Sequence, residues 1–97
     1  MNSPCRAQIL SALVVDLKAL SDLPLKSAED VVIWDDAAEI FRNKLCSVYD
    51  ELSGELPHEL EHYLTDSDIR LKDAGYRDRQ EKFIRSLILT LNAKSEQ

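Results

Sequence analysis

From residue 27 to residue 54 the apolar positions fall into one register. Val31, Trp34, Ala38, Phe41, Leu45, Val48 and Leu52 follow one another at alternating steps of three and four residues, the spacing that lays side chains along one stripe of an α-helix. The spacing predicts a central helix over about 28–53. Ser27 is its expected N-cap, and Asp30, three residues on, is placed to reach back to the cap amide. Gly54 stands where a left-handed residue would close the last turn, with Leu56 as the apolar contact and Pro57 as the stop. Such a helix runs about 39 Å at about 1.5 Å per residue, so other helices have to pack along it. One interruption is allowed near Asp35, because Val31–Trp34 is rich in β-formers and Asp35 or Asp36 can cap a fresh start. A strand there has no second strand to pair with, and Trp34 reads as a core anchor.

Two further stripes frame this helix. Ile9, Leu10, Leu13, Val14, Leu17 and Leu20 predict a helix over about 4–21, opened by Ser3 and Pro4 and closed by Asp22, Leu23 and Pro24. Phe83, Ile84, Leu87, Ile88 and Leu91 predict a last helix over about 76–92, after which the chain frays. Between them a short helix over 57–64 carries Leu60, Tyr63 and Leu64 inward. A second short one over 66–73 has Thr65 as cap, Asp68 as its box partner, and Ile69 and Leu71 as apolar surface. Ala74–Gly75 is the expected break before the last helix, with one continuous helix from residue 66 as the alternative. The expectation is all-α: a small single-domain bundle over 1–97 with three main helices and one or two short ones.

Composition agrees with that expectation. Leu, Ile, Val and Ala supply most of the 44% hydrophobic content, with two Gly and three Pro, which suits a helical chain with few turns that folds without metal or disulfide. The apolar run Gln8–Val15 is cut short by Asp16 and Lys18, so neither a signal-peptide core nor a membrane span is expected. Cys5 and Cys46 sit inside periodic segments and are expected to be reduced, buried thiols of a cytoplasmic protein.

The net charge of −6 is unevenly spread: residues 16–68 carry a net −10, residues 69–97 a net +3, and Arg6 the remainder. The balanced reading sets the basic last helix against acidic neighbours. The functional reading is an acidic face for a basic protein partner, formed by Glu29, Asp30, Asp35, Asp36, Asp50 and Glu51 with Glu59 and Glu61. A stripe of about seven turns is more than three main helices cover easily, so a homodimer seam along the central helix is expected.

Three motifs bear on chemistry. His58-Glu59-Leu60-Glu61-His62 matches H-E-x-x-H, in which two imidazoles four residues apart hold Zn²⁺ and the glutamate acts as base. Glu81 is the candidate third ligand of such a metal-dependent hydrolase. Against that reading, such a metal helix packs beside a substrate-holding sheet, Glu61 puts a charge where the motif is usually neutral, and Pro57 places His58 in the first turn. Cys5, Cys46, His58 and His62 make a formal Cys₂His₂ set, but the cysteines are not paired at finger spacing. Residues 64–88 loosely resemble a helix-turn-helix with Arg77, Arg79, Lys82 and Arg85 as a basic face. The acids Asp73, Asp78 and Glu81 lie among those bases, and i,i+4 pairs of Asp78 with Lys82 and Glu81 with Arg85 would make the same face simply solvated. No nucleophile triad, glycine-rich phosphate loop or CxxC is present. The expectation is therefore not an enzyme and not cofactor-dependent but a protein-binding module, with a DNA-binding regulator and then a hydrolase as alternatives.

Overall fold

The computed structural model describes residues 5–96, five α-helices and a 3₁₀ segment with no strand among them. In chain order these are α1 (Arg6–Ser21), α2 (Ala28–Leu45), the 3₁₀ segment Asp50–Glu55, α3 (Glu59–Thr65), α4 (Ser67–Lys72) and α5 (Ala74–Ser95). The expected cap Ser3 and first-turn Pro4 lie outside the described residues. Cys5 holds the cap position of α1, and its N–H donates to Gln8 Oε1 at 2.9 Å.

α1 buries all six residues of its stripe and packs along α5, running antiparallel so that Arg6, Ala7 and Leu10 meet Lys94. From α5, Ile84, Leu87 and Leu91 complete this layer. α2 crosses in front, contributing Trp34, Ala38 and Phe41 to the same core. Its flanks differ: one lies beside α1, the other against α3 and α4.

α2 is continuous through Asp35 and starts at Ser27 as expected, with Ser27 Oγ accepting from the N–H of Asp30 at 3.2 Å. The Asp30 carboxylate accepts from the N–H of Lys26 at 2.8 Å rather than from the cap amide. The helix ends eight residues short of expectation, at Leu45 instead of residue 53. There Ser47 Oγ donates to Asn43 O at 3.0 Å and the N–H of Tyr49 reaches back to Lys44 O at 2.8 Å. A hydroxyl bonding a carbonyl four residues back competes with helix propagation. The reversal exchanges two side chains: Val48, on the expected stripe, turns out to solvent, and Tyr49 turns in beside Phe41 at 6.4 Å between ring centroids. Leu52 still reaches the core, from the 3₁₀ segment. Gly54 lies within that segment, and no glycine among the described residues has positive φ.

Two other boundaries move. Thr65 ends α3, its Oγ1 donating to Glu61 O at 2.9 Å, so Asp66 and not Thr65 precedes α4. The break before the last helix falls at Asp73, whose carboxylate accepts from the N–H of Tyr76 at 3.0 Å; Gly75 sits in the first turn of α5. The inward residues of α4 are Ser67 and Arg70, while Ile69 is exposed and Leu71 half-buried. No helix among the described residues is long and apolar enough to cross a membrane.

Candidate functional site

The acids singled out in the sequence are not gathered on one face. Asp30 is spent on the Lys26 amide, and Asp35, turned toward α4, accepts a hydrogen bond from the Ser67 hydroxyl. Glu29 and Asp36 are exposed on α2. Asp50 and Glu51 are exposed beyond the far end of that helix, and the rise from Glu29 to Leu45 alone spans about 24 Å. Glu59 and Glu61 belong to α3, where Glu61 lies 3.8 Å from Arg42.

The basic residues are likewise divided. Arg77 is half-buried and acts as a clamp, its Nε donating to Arg70 O at 3.0 Å and its Nη2 to Leu25 O and Leu71 O at 3.4 Å. Arg79 is exposed with its guanidinium over the Tyr76 ring at 5.6 Å. Lys82 pairs with Asp78 at 3.5 Å as expected, whereas no Glu81–Arg85 pair forms among the described residues. α3, α4 and α5 follow one another through single residues, Asp66 and Asp73, not through the three- to four-residue turn of a DNA-reading motif.

The two imidazoles of H-E-x-x-H do share a face, edge to face at 5.4 Å between centroids. His62 Nδ1 lies 4.0 Å from Asp66 Oδ2. The set stops there, since no group of three or more His, Cys, Asp or Glu side chains among the described residues is arranged to hold a metal ion. Cys46 and His58 border one cavity with Asp50, while His62 borders another with Tyr76 and Arg79. Both thiols are free, but both are exposed rather than buried. Each lies at a helix terminus, Cys5 capping the start of α1 and Cys46 the end of α2, where the stripe's burial does not reach.

A polar cluster absent from the sequence reading lies between α2, α3, α4 and α5. Arg70, only 2% exposed, is sandwiched between Trp34 and Tyr63, its guanidinium carbon 4.4 and 4.3 Å from the two ring centroids. Its Nη1 donates to Tyr63 O and Gln80 Oε1, each at 2.6 Å. Gln80 Nε2 in turn donates to the Tyr76 hydroxyl at 2.9 Å, and that hydroxyl donates to Asp66. Burial holds the Arg70 guanidinium below its usual range and pushes the Tyr63 phenol up to about 12, the latter opposed in part by the Arg70 charge. Tyr76 is raised first by its bond to Asp66. Tyr76 and Gln80 of the cluster border the cavity that His62 and Arg79 line, and the cluster fastens α4 to its neighbours.

One of the openings left to a partner is mainly apolar. Between α1 and α2 runs a groove of about 180 Å³, floored by Leu20, Leu23 and Phe41 and walled by Ala19, Ala37 and Ile40. Its end is closed by Asp16, which accepts from Lys44 Nζ at 3.2 Å and from the Tyr49 hydroxyl. Burial, together with this bond to Asp16 and the Asp16 charge, raises the Tyr49 phenol far above its usual range, so it stays a donor. Ile33, one turn before Ala37 on the same flank of α2, continues the apolar wall and is 60% exposed; Ile40 is 61% exposed. The signal was present in the sequence as a second stripe, Ile33, Ala37, Ile40 and Lys44, beside the dominant one. The sequence matches no protein-family model, no curated protein and no solved structure.

Proposed function

We propose that this chain works by protein–protein contact, as a small regulatory, adaptor or inhibitor protein of the cytoplasm, and that it docks its partner on the face shared by α1 and α2. One observation carries the reading: large aliphatic side chains, Ile33 and Ile40, stand in solvent beside an apolar groove. Exposed apolar surface costs solubility, and in a small monomeric domain a contiguous apolar face marks a contact site. The docking surface is therefore apolar with an acidic margin, Glu29 and Asp36, in place of the wholly acidic face that charge alone suggested. The free thiols Cys5 and Cys46 suit a reducing compartment.

The test is a photocrosslinking amino acid placed at Ile40, in the groove wall, and in a control chain at Leu89, an equally exposed aliphatic position on α5 away from that groove. Protein adducts at Ile40 and none at Leu89 are expected in the cells that make the protein. No adduct at Ile40, or equal labelling at both positions, overturns the assignment.

A further inference from the structure

The pattern of charge along α2 names the occupant of this face, and the step rests on the docking surface just proposed. Every acid of the helix, the last being Glu39, precedes every base, the first being Arg42. On the flank that carries Ile33, Ala37 and Ile40, the same polarity holds: Glu29 and Asp36 stand at the start and middle and Lys44 at the end. Such a flank complements itself when two copies run antiparallel. With a two-fold axis between Asp36 and Ala37, Ile33 of each copy meets Ile40 of the other and Glu29 of each approaches Lys44 of the other, each of these contacts occurring twice as an isologous interface requires. Asp36 meets its own copy beside the axis, one like-charge contact set against two Glu29–Lys44 pairs. A parallel pairing sets acids against acids and is disfavoured.

Shape agrees with charge. Ile33, Ala37 and Ile40 step by four and three residues, the spacing of a two-helix seam. Alanine at the centre lets the two backbones approach, and interaxial distances follow side-chain size. The face is as long as α2, about 27 Å for its 18 residues, and two helices wide, about 20 Å. That is on the order of 500 Å² of flat projection per copy, placing the pair near the roughly 1,000 Å² total at which a specific interface becomes stable. We propose that the partner on this face is a second copy of this chain, docked antiparallel through α2 in a concentration-dependent homodimer.

Sedimentation equilibrium of the full chain over a range of concentrations, joined to disulfide trapping, tests this. The wild-type chain is expected to pass from monomer to dimer as concentration rises, and Ile33→Asp/Ile40→Asp to weaken the dimer by at least about tenfold. Both isoleucines are largely exposed, so the variant is expected to keep the helical circular dichroism of the parent. In a chain with Cys5→Ser and Cys46→Ser, Ala37→Cys is expected to form a covalent dimer under mild oxidation and Val32→Cys, about 140° round the helix, to remain monomeric. A chain that stays monomeric at every concentration overturns the second copy as occupant; the docking face itself then stands if the crosslinker at Ile40 still captures other proteins and falls if it does not. A dimer trapped by Val32→Cys instead of Ala37→Cys overturns both.

Discussion

α1 and α4 hold the bundle together by opposite means. α1 buries six aliphatic side chains and no polar one, so its adhesion is non-directional and grows with the area removed from water. α4 buries a serine and an arginine, and its adhesion depends on hydrogen bonds and ring stacking that exist only when four helices are in place. The difference teaches where this fold tolerates change. The α1 layer should accept any aliphatic of similar volume, whereas the α4 cluster ties each side chain to a particular partner.

The largest effect expected is in the apolar layer. Phe41→Ala removes a ring that is 4% exposed and packs beside Tyr49, and should cost about 3–5 kcal/mol in urea unfolding. A near-neutral result would mean that Phe41 contributes no core packing and would dissolve the contrast at its apolar end.

The α4 cluster is broken by Arg70→Ala, for which a loss of about 3–5 kcal/mol is expected, because it leaves the Gln80 and Tyr63 acceptors unpaired and a gap between two aromatic rings. Arg70→Met fills the same slot without charge. Buried charges replaced by apolar side chains of similar volume are often neutral in stability, so Met should recover much of the loss while leaving the fixing of α4 weakened. Amide exchange in Ser67–Lys72 reads that second quantity: faster exchange at recovered stability separates the two roles of Arg70, and slow exchange in Arg70→Met would show that volume alone fastens α4.

This contrast also explains what could be read from the chain. Ile9 to Leu20, Trp34, Leu60, Tyr63 and Leu64 were all legible as core because area-driven burial leaves a periodic trace. Arg70 and Gln80 left only a faint one: Gln80 falls on the same stripe as Ile84, Leu87 and Leu91, but a polar residue in an apolar register names no partner by itself. The end of α2 was misread because Val48 fits the periodicity while Tyr49 gains a hydrogen bond to Asp16, thirty-three residues away in sequence, that no local pattern contains. The proposed docking face was legible as a second stripe and was overlooked beside the stronger one.

A smaller effect separates the two regions by pH. Tyr63 is neutral in the fold up to about 12 and ionises near 10 when unfolded. Between those values the unfolded chain releases a proton that the folded chain keeps, so stability is fully present below pH 10 and is lost as pH rises toward 12. A separation of about two units corresponds to about 2–3 kcal/mol. Tyr63→Phe keeps the edge-on contact with Trp34, at 5.3 Å in the parent, and should flatten the decline of stability above pH 10 when followed by denaturant midpoints. An unchanged decline would assign the alkaline sensitivity to Tyr49 and Tyr76, whose hydroxyls both donate to carboxylates.

The finest discrimination comes from helix caps. Ser27 opens α2 and Asp73 opens α5, each accepting from the N–H three residues on, at 3.2 and 3.0 Å. Removing either acceptor by alanine should cost about 1 kcal/mol. The two sites nevertheless sit in different company. Ser27 is backed by Asp30, which holds the neighbouring Lys26 amide, so the turn entering α2 keeps one side-chain bond when the serine is lost. Asp73 is the single residue between α4 and α5 and adjoins the Arg77 clamp, whose N–H donates to its carbonyl at 3.0 Å. Asp73→Ala should therefore exceed Ser27→Ala by a few tenths of a kcal/mol and speed amide exchange in α4 as well as in the first turn of α5. Equal costs, with exchange confined to the mutated cap, would mean that the α4 cluster holds its helix without help from the junction.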